Sequence, residues 1–436
     1  MYRNIEQKLK VWKESERRKP LILKGARQVG KSYTVEKFGR ENFQNCVIAN
    51  FEKQKMLADI FSGDLHIPAI LQRLEVLLNT RIDPARTLLF FDEIQKCPRA
   101  ITALRYFWEE RPDIAVIAAG SLLDFSIEEA GVPVGRVTYL YMHPFSFHEF
   151  LLALGENMLA EKLAVSLPEE EDVVHFKSLS LVKKYFQVGG MPEAIDLYLK
   201  TGSLKEVGEL QLSLVETYRQ DFTKYASKIP YDIMLTVLEK LPQLIGTQIK
   251  YSHIDKDART TLIKQVILLL ERAQVLYRVR AARVPSLPLG VTSTEKVFKA
   301  ILLDIGLLQA LCGVDWGKIP EKEDPMNIYN GALAEQFVGQ EIMAYTSISH
   351  FQPLYYWKRE ERGSSAEIDY LVEHDGAVAP VEVKSDKAGR LRSLHLFNEK
   401  FHPKKSFIVS SHPQARLESF QWIPFYGLGR LLQTRV

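Results

Sequence analysis

Three unbroken apolar blocks set the pattern of the first third of the chain. Pro20 to Leu23 runs directly into a glycine-bounded turn and then the helix-forming T-V-E-K-F. Thr87 to Ile94, T-L-L-F-F-D-E-I, ends in two acids, and Asp113 to Ser121 reads D-I-A-V-I-A-A-G-S. Continuous apolar runs suit parallel strands buried on both faces, whose C-terminal ends meet a ligand crevice. Alternating strand and helix signals from Leu21 to Phe150 predict a doubly wound α/β domain over residues 1–150.

Beyond it the period changes. L-P-E-E-E-D, Leu167 to Asp172, is an acidic solvated loop within a helical region expected over residues 151–230. V-G-G-M-P-E-A-I marks a helix start there, because Pro192 needs no N–H at that position and Gly190 permits an unusual backbone angle before it. Residues 231–315 read as a winged helix: helical L-T-V-L-E-K-L-P-Q-L-I and T-L-I-K-Q-V-I-L-L-L-E-R-A precede two strand-like pieces around a loop. Lys264, Arg278, Arg280 and Arg283 make this unit locally basic, which fits either contact with DNA phosphates or a wing with one wet face. The polar stretch Trp316 to Met326 reads as a linker into a last domain, residues 316–436.

Composition narrows the function classes. A chain of 436 residues, 46% hydrophobic and 25% charged, is globular and divides into several domains. A formal charge of +3 is too mild to demand a polyanionic partner, so any nucleic-acid surface must be local. Cys46, Cys97 and Cys312 are widely separated, which argues against a zinc site or a disulfide framework. M-Y-R-N-I-E-Q-K-L-K lacks a signal-peptide core, and runs such as Ala115 to Ala119 and Val266 to Leu270 are far shorter than the ~20 residues of a membrane helix. The expectation is a cytoplasmic protein with no membrane partner.

The turn after Leu23 carries the clearest chemistry. G-A-R-Q-V-G-K-S, Gly25 to Ser32, satisfies G-x-x-x-x-G-K-[ST]. Gly25 and Gly30 let the backbone turn tightly, so that the N–H groups of Ala26, Arg27, Gln28, Val29 and Gly30 can face phosphate oxygens. The helix entered through Lys31, Ser32 and Tyr33 adds its positive dipole end. Lys31 can reach the β- and γ-phosphates, and the Ser32 hydroxyl can ligate Mg²⁺. Asp92 would hold that magnesium, and Glu93 would polarise the attacking water. Ser121, at the tip of the third apolar run, is placed either to sense the γ-phosphate or simply to cap the strand.

These blocks carry a resemblance. G-A-R-Q-V-G-K-S, F-F-D-E-I-Q, A-A-G-S-L-L, G-R-V at Gly135 to Val137, and H-P-F-S-F-H-E-F at His143 to Phe150 resemble one group of prokaryotic AAA-type, STAND-like ATPases. That group couples its ATPase to a C-terminal domain of unknown function, and the similarity runs through nearly the whole chain. It implies ATP and Mg²⁺ as cofactors, and a homo-oligomer or a partner protein. Arg136 falls on the arginine of the family's G-R element, where it would contact nucleotide or form a surface salt bridge. Gly190-Met191-Pro192 falls on a Gly-x-Pro element beside the nucleotide, which implies adenine-side or ribose-side contact for Pro192.

The C-terminal domain poses a second question. A helix over Gly331 to Ile342, then L-Y-Y-W-K-R, a hairpin over Ala366 to Ser385, a helix around Arg392 to Phe401 and K-S-F-I-V-S give the order helix, three strands, helix, strand. This order, with Glu335 on the first helix and Asp369, Glu382 and Lys384 on the hairpin, resembles the PD-(D/E)xK nuclease fold. Glu382 and Lys384 are two apart on a strand and so share a face. Carboxylates from Glu335, Asp369 and Glu382 suit Mg²⁺, and Lys384 would orient or deprotonate a water against a DNA or RNA phosphate. Alternatively, alternating charges on a hairpin mark a solvated face. The whole chain is thus expected to be α/β: an AAA-type P-loop ATPase domain, a helical and winged-helix middle, and a restriction-endonuclease-like C-terminal domain.

Overall fold

The computed structural model describes residues 1–84, 86–121, 123, 127, 135–225, 229–314, 316, 331–359, 361, 366–384, 391–417 and 419–433. Beyond Trp316, the expected linker lies outside them. Among the described residues no helix is long and apolar enough to cross a membrane.

The apolar runs near the amino terminus become β1 (Leu21–Lys24), β3 (Thr87–Asp92) and β4 (Ala115–Ala119), joined by β2 (Asn45–Asn50) and β5 (Thr138–Tyr141). They form one parallel sheet in the order β2-β3-β4-β1-β5. Every residue of β3 and β4 is buried, as an unbroken apolar run requires when both faces are covered. Successive side chains go to opposite faces. Ile22, Leu89, Phe91 and Val116 pack with the helices Ile67–Leu78 and Pro98–Glu110. Leu21, Leu23, Leu88, Phe90 and Ile117 pack with the helices Ile5–Glu14 and Lys31–Asn42 and merge with the core of the rest of the chain. Period-2 alternation within unbroken apolar runs thus builds two cores from each strand.

The middle region is helical, with Val173–Val188, Pro192–Thr201 and Leu204–Tyr225 its longest elements before Tyr231–Lys240 and Thr260–Arg272. It ends in an antiparallel hairpin, β6 (Leu276–Ala282) and β7 (Ser293–Leu302). This hairpin is not the wing of a self-contained unit ending at residue 315. Its strand β6 pairs in parallel with β8 (Leu354–Lys358). The sheet continues through β9 (Glu367–His374), β10 (Ala377–Val383), β11 (Phe407–Ser410), β12 (Ala415–Arg416) and β13 (Gln421–Pro424), in the order β12-β13-β11-β10-β9-β8-β6-β7. A boundary at 315/316 therefore cuts through one eight-stranded sheet. The physical reason is edge pairing: left alone, β6 would expose a row of backbone donors and acceptors, and β8 satisfies them.

Two local features shape the C-terminal hairpin. His374 pairs with Ala377 across Asp375 and Gly376, both at positive φ, which is the two-residue Asp-Gly turn that matches strand twist. On the other side of β9, Trp357 pairs with Ile368 while Tyr355 pairs with Leu371. Strand β9 thus carries one extra residue, a β-bulge at Asp369–Tyr370, and such bulges re-aim side chains.

Candidate functional site

The turn after β1 delivers its residues to the C-terminal ends of β1, β3 and β4. Gly30 stands at φ 95° before the helix Lys31–Asn42, and Gln28 is also at positive φ. A Cβ on Gly25 would fall 2.5 Å from the Met142 carbonyl oxygen, so only glycine fits. Ala26 and Val29 are buried beneath the turn, whereas Tyr33 is exposed. Lys31 Nζ folds back to donate to the carbonyls of Gly25 at 3.0 Å and Ala26 at 2.7 Å. Burial pushes its pKa down to about 8, against the pull of Glu93 and Asp92.

Ser32 Oγ donates to Asp92 Oδ1 at 2.8 Å, and Asn50 Nδ2 donates to Asp92 Oδ2 at 2.8 Å. This pair of oxygens, one hydroxyl and one carboxylate, is a donor set that fits Mg²⁺. Glu93 sits in the left-handed region at φ 52°, and its carboxylate accepts from Gln95 Nε2. Ser121 Oγ accepts from Arg27 Nε at 3.5 Å. Arg27 also pairs with Asp221 Oδ2 at 2.6 Å, and Tyr218 donates to the Arg27 carbonyl at 2.5 Å. The helix Leu204–Tyr225 therefore closes over the turn. Pro192 lies beside Gly30, whose added Cβ would come 3.5 Å from Pro192 Cγ. Arg136 stands apart, in a surface ion pair with Glu109 at 2.9 Å.

Arg3 is a residue that the motifs did not indicate. Its guanidinium donates to the carbonyls of Val29 at 3.0 Å and His143 at 2.5 Å and to Glu149 Oε1 at 3.1 Å, while lying over the Phe145 ring. It ties the phosphate turn to Ser146 and Glu149, the capping box of the helix Phe147–Ala153. No local pattern marks Arg3; only its position beside an amphipathic helix hints at packing.

A buried polar bridge leads from this region to the other end of the molecule. Gly190 N–H donates to Asp304 Oδ2 at 2.6 Å, and Asp304 Oδ1 accepts from Gly306 N at 2.9 Å and Leu307 N at 3.2 Å. Gln340, on the helix Ala332–Thr346, donates to Asp304 Oδ2 at 3.3 Å and to Tyr185 Oη at 2.8 Å. One residue on, Glu341 Oε1 accepts from Phe147 N at 2.8 Å, and burial pushes its pKa up to about 8.

The same helix carries Glu335 into the C-terminal centre. There the structure brings together Glu335, Asp369, Glu382 and Lys384, with two further groups. Lys299 of β7 places Nζ 2.5 Å from Glu335 Oε2, 2.8 Å from Glu367 Oε1 and 3.2 Å from Asp369 Oδ1. Asp369 Oδ2 accepts from Val383 N at 2.8 Å, and Lys384 Nζ donates to Glu382 Oε1 at 2.7 Å. Burial opposes the Lys299 charge, but Asp369, Glu335 and Glu367 together outweigh it and hold the ammonium protonated. Burial and the charge of Asp369 raise the pKa of both Glu335 and Glu382, with Lys299 and Lys384 respectively pulling back. Among the described residues no group of three or more His, Cys, Asp or Glu side chains is disposed to hold a metal ion. With an ammonium seated among its acids, this centre does not fit Mg²⁺ as it stands. The signal in the sequence is a lysine set among the apolar positions of V-F-K-A-I-L-L, Val297 to Leu303.

Comparison with known families divides the chain into three parts, with a break between residues 318 and 330 that falls inside the eight-stranded sheet. The profile of an AAA domain matches residues 17–151, so this part is similar to an AAA domain. Domains of unknown function, DUF8612 and DUF4143, match residues 179–318 and 330–425. No curated protein matches the chain. Among solved structures, a Walker-type ATPase of Pyrococcus abyssi is similar at 14% identity and TM-score 0.46, over 70% of this chain and 94% of that one. The ORC1 protein of Aeropyrum pernix in complex with DNA is similar at 14% identity and TM-score 0.31, over 72% and 93%. The RuvB Holliday junction branch migration motor of Thermotoga maritima is similar at 17% identity and TM-score 0.30, over 67% and 92%. Likenesses this distant bring no function to the chain.

Proposed function

We propose that this chain binds ATP at Gly25 to Ser32 and hydrolyses it, and that the nucleotide state is passed to the C-terminal sheet. The observation that carries the reading is the meeting of Lys31, Ser32, Asp92 and Glu93 at the ends of β1 and β3, with Ser121 just past the end of β4, the strand between them. The turn's N–H groups and the helix start cradle the phosphates. Lys31 leaves two neutral carbonyls for the anionic β- and γ-oxygens, a stronger pairing. Ser32 and Asp92 would hold Mg²⁺, which when bound would supply positive charge to offset that of the phosphates. Glu93 orients and polarises the attacking water once Gln95 releases its carboxylate. Turnover of ATP with Mg²⁺ is expected in the wild type and expected to fall about a hundredfold or more in Lys31→Ala; equal turnover in both ends the proposal.

The output runs through Pro192 beside the phosphate turn, Gly190, Asp304 and Gln340 to the helix that carries Glu335. Contact alone does not make coupling, and Asp304 is where it can be tested. The domain at the far end reads as a PD-(D/E)xK-like module directed at DNA or RNA, on the convergence of Glu335, Asp369, Glu382 and Lys384. Lys299 favours a second reading, a switch whose C-terminal domain binds nucleic acid or a partner protein without cutting. Labelled DNA and RNA, incubated with the protein and Mg²⁺ or Mn²⁺, separate the two. Cleavage that disappears in Asp369→Ala and Lys384→Ala supports the nuclease, and intact substrate throughout supports the switch.

A further inference from the structure

We infer that Lys299 is the resident cation of the C-terminal carboxylate centre, seated between Glu335, Glu367 and Asp369 in the place of a divalent metal, and that the centre takes a metal only when this ammonium withdraws. The inference concerns binding and holds whether or not the domain cleaves nucleic acid.

The geometry is that of a coordination site filled by nitrogen. An ammonium has three N–H donors, and Lys299 Nζ has three carboxylate partners between 2.5 and 3.2 Å. The partners come from a helix and from β9, so the cluster is not a local pairing along one element. Glu367 and Asp369 lie two apart on β9 and so share a face, and the β-bulge at Asp369–Tyr370 interrupts the strand beside them. A metal bound by the same oxygens would lie about 2–2.5 Å from each. Two cations sharing that set would sit within a few ångströms of one another, where their repulsion is large. Ammonium and metal are therefore alternatives.

The charge count leaves room for more than Lys299. Among the described residues, Glu335, Glu367, Asp369 and Glu382 face only Lys299 and Lys384 at ion-pair distance. Lys384 holds Glu382 Oε1, while Glu382 Oε2 is buried and without a hydrogen-bond partner, on a residue only 5% exposed. A buried carboxylate oxygen left without a donor is costly, and it marks a place for a further positive group. Access exists as well. A cavity of about 250 Å³, lined by Gln243, Gly246, Thr247, Ala332 and Leu333, opens against Glu335. Gln248, just beyond that loop, bonds Glu367 and also accepts from Lys358, so the loop that walls the cavity is tied to the centre. Movement of this loop or of the helix Ala332–Thr346 would change the pocket that Lys299 occupies.

The test uses the full chain without nucleotide, with Mn²⁺ as the probe, followed by electron paramagnetic resonance and by the melting temperature. Lys299→Met is expected to gain a Mn²⁺ site at least about tenfold tighter than any in the wild type. The gain should vanish in Lys299→Met combined with Asp369→Asn. Should Lys299→Met prove less stable, a rise in its melting temperature with Mn²⁺, missing from the wild type, reads the same site by linkage. Equal Mn²⁺ binding by wild type and Lys299→Met would falsify the inference, and so would a Lys299→Met protein that neither binds Mn²⁺ nor is stabilised by it.

Discussion

Two lysine–carboxylate centres lie in this chain, and they differ in where the lysine is parked. At the phosphate turn Lys31 rests on neutral carbonyls, and the Asp92 carboxylate accepts from a hydroxyl and an amide. Every partner there can be exchanged for phosphate or magnesium without stranding a charge. At the C-terminal sheet, Lys299 is clamped by three acids, and withdrawing it exposes all three. Breaking one side of such a buried cluster is expensive, whereas neutral hydrogen bonds exchange cheaply. One centre is thus poised for ligand exchange, and the other is closed.

If the centres communicate, the bridge through Asp304 should matter to both. Asp304→Ala strands the N–H groups of Gly190, Gly306 and Leu307 and removes the cap of the helix Ile305–Leu311. The expected cost is about 3–5 kcal/mol in denaturant unfolding. A variant that unfolds like the wild type would show that the bridge is dispensable, and the comparison would reduce to two independent sites.

A smaller effect sharpens the picture at the next position. Glu341 has its pKa pushed from 4.5 up to about 8 by burial. The folded state then binds a proton that the unfolded state has released, so this stabilisation is complete below pH 4.5 and is lost as pH rises through about 8. Glu341→Gln keeps an acceptor for Phe147 N and has nothing to titrate. Its melting temperature should match the wild type near pH 4.5 and pull ahead as pH climbs to about 8, by roughly 1–3 kcal/mol in stability. Parallel pH profiles for the two proteins would mean that Glu341 is not held neutral.

Legibility followed sequence distance. Gly25, Lys31, Ser32 and the Asp92–Glu93 pair were readable because each motif is contiguous and sits at the end of an unbroken apolar strand. Asp369, Glu382 and Lys384 were readable as a set because a two-residue Asp-Gly turn fixes which hairpin residues face one another. Arg3, Asp221 and Lys299 were not, since each reaches its partners across tens to hundreds of residues and carries no periodic signal. The β6–β8 pairing was hidden for the same reason, and a hairpin that looked like a free wing is the extension of the last sheet. The bulge at Asp369 left no mark in the alternation of E-I-D-Y-L-V, where every position still reads as strand.

The central claim is hydrolysis at the first centre, and Glu93→Gln addresses it most directly. Glutamine keeps the size and can still bond Gln95, but it cannot accept a proton from water. The measurement is ATP affinity and steady-state turnover with Mg²⁺, for wild type and variant side by side. The account predicts affinity within about threefold and turnover lower by about a hundredfold. Unchanged turnover in Glu93→Gln would contradict it.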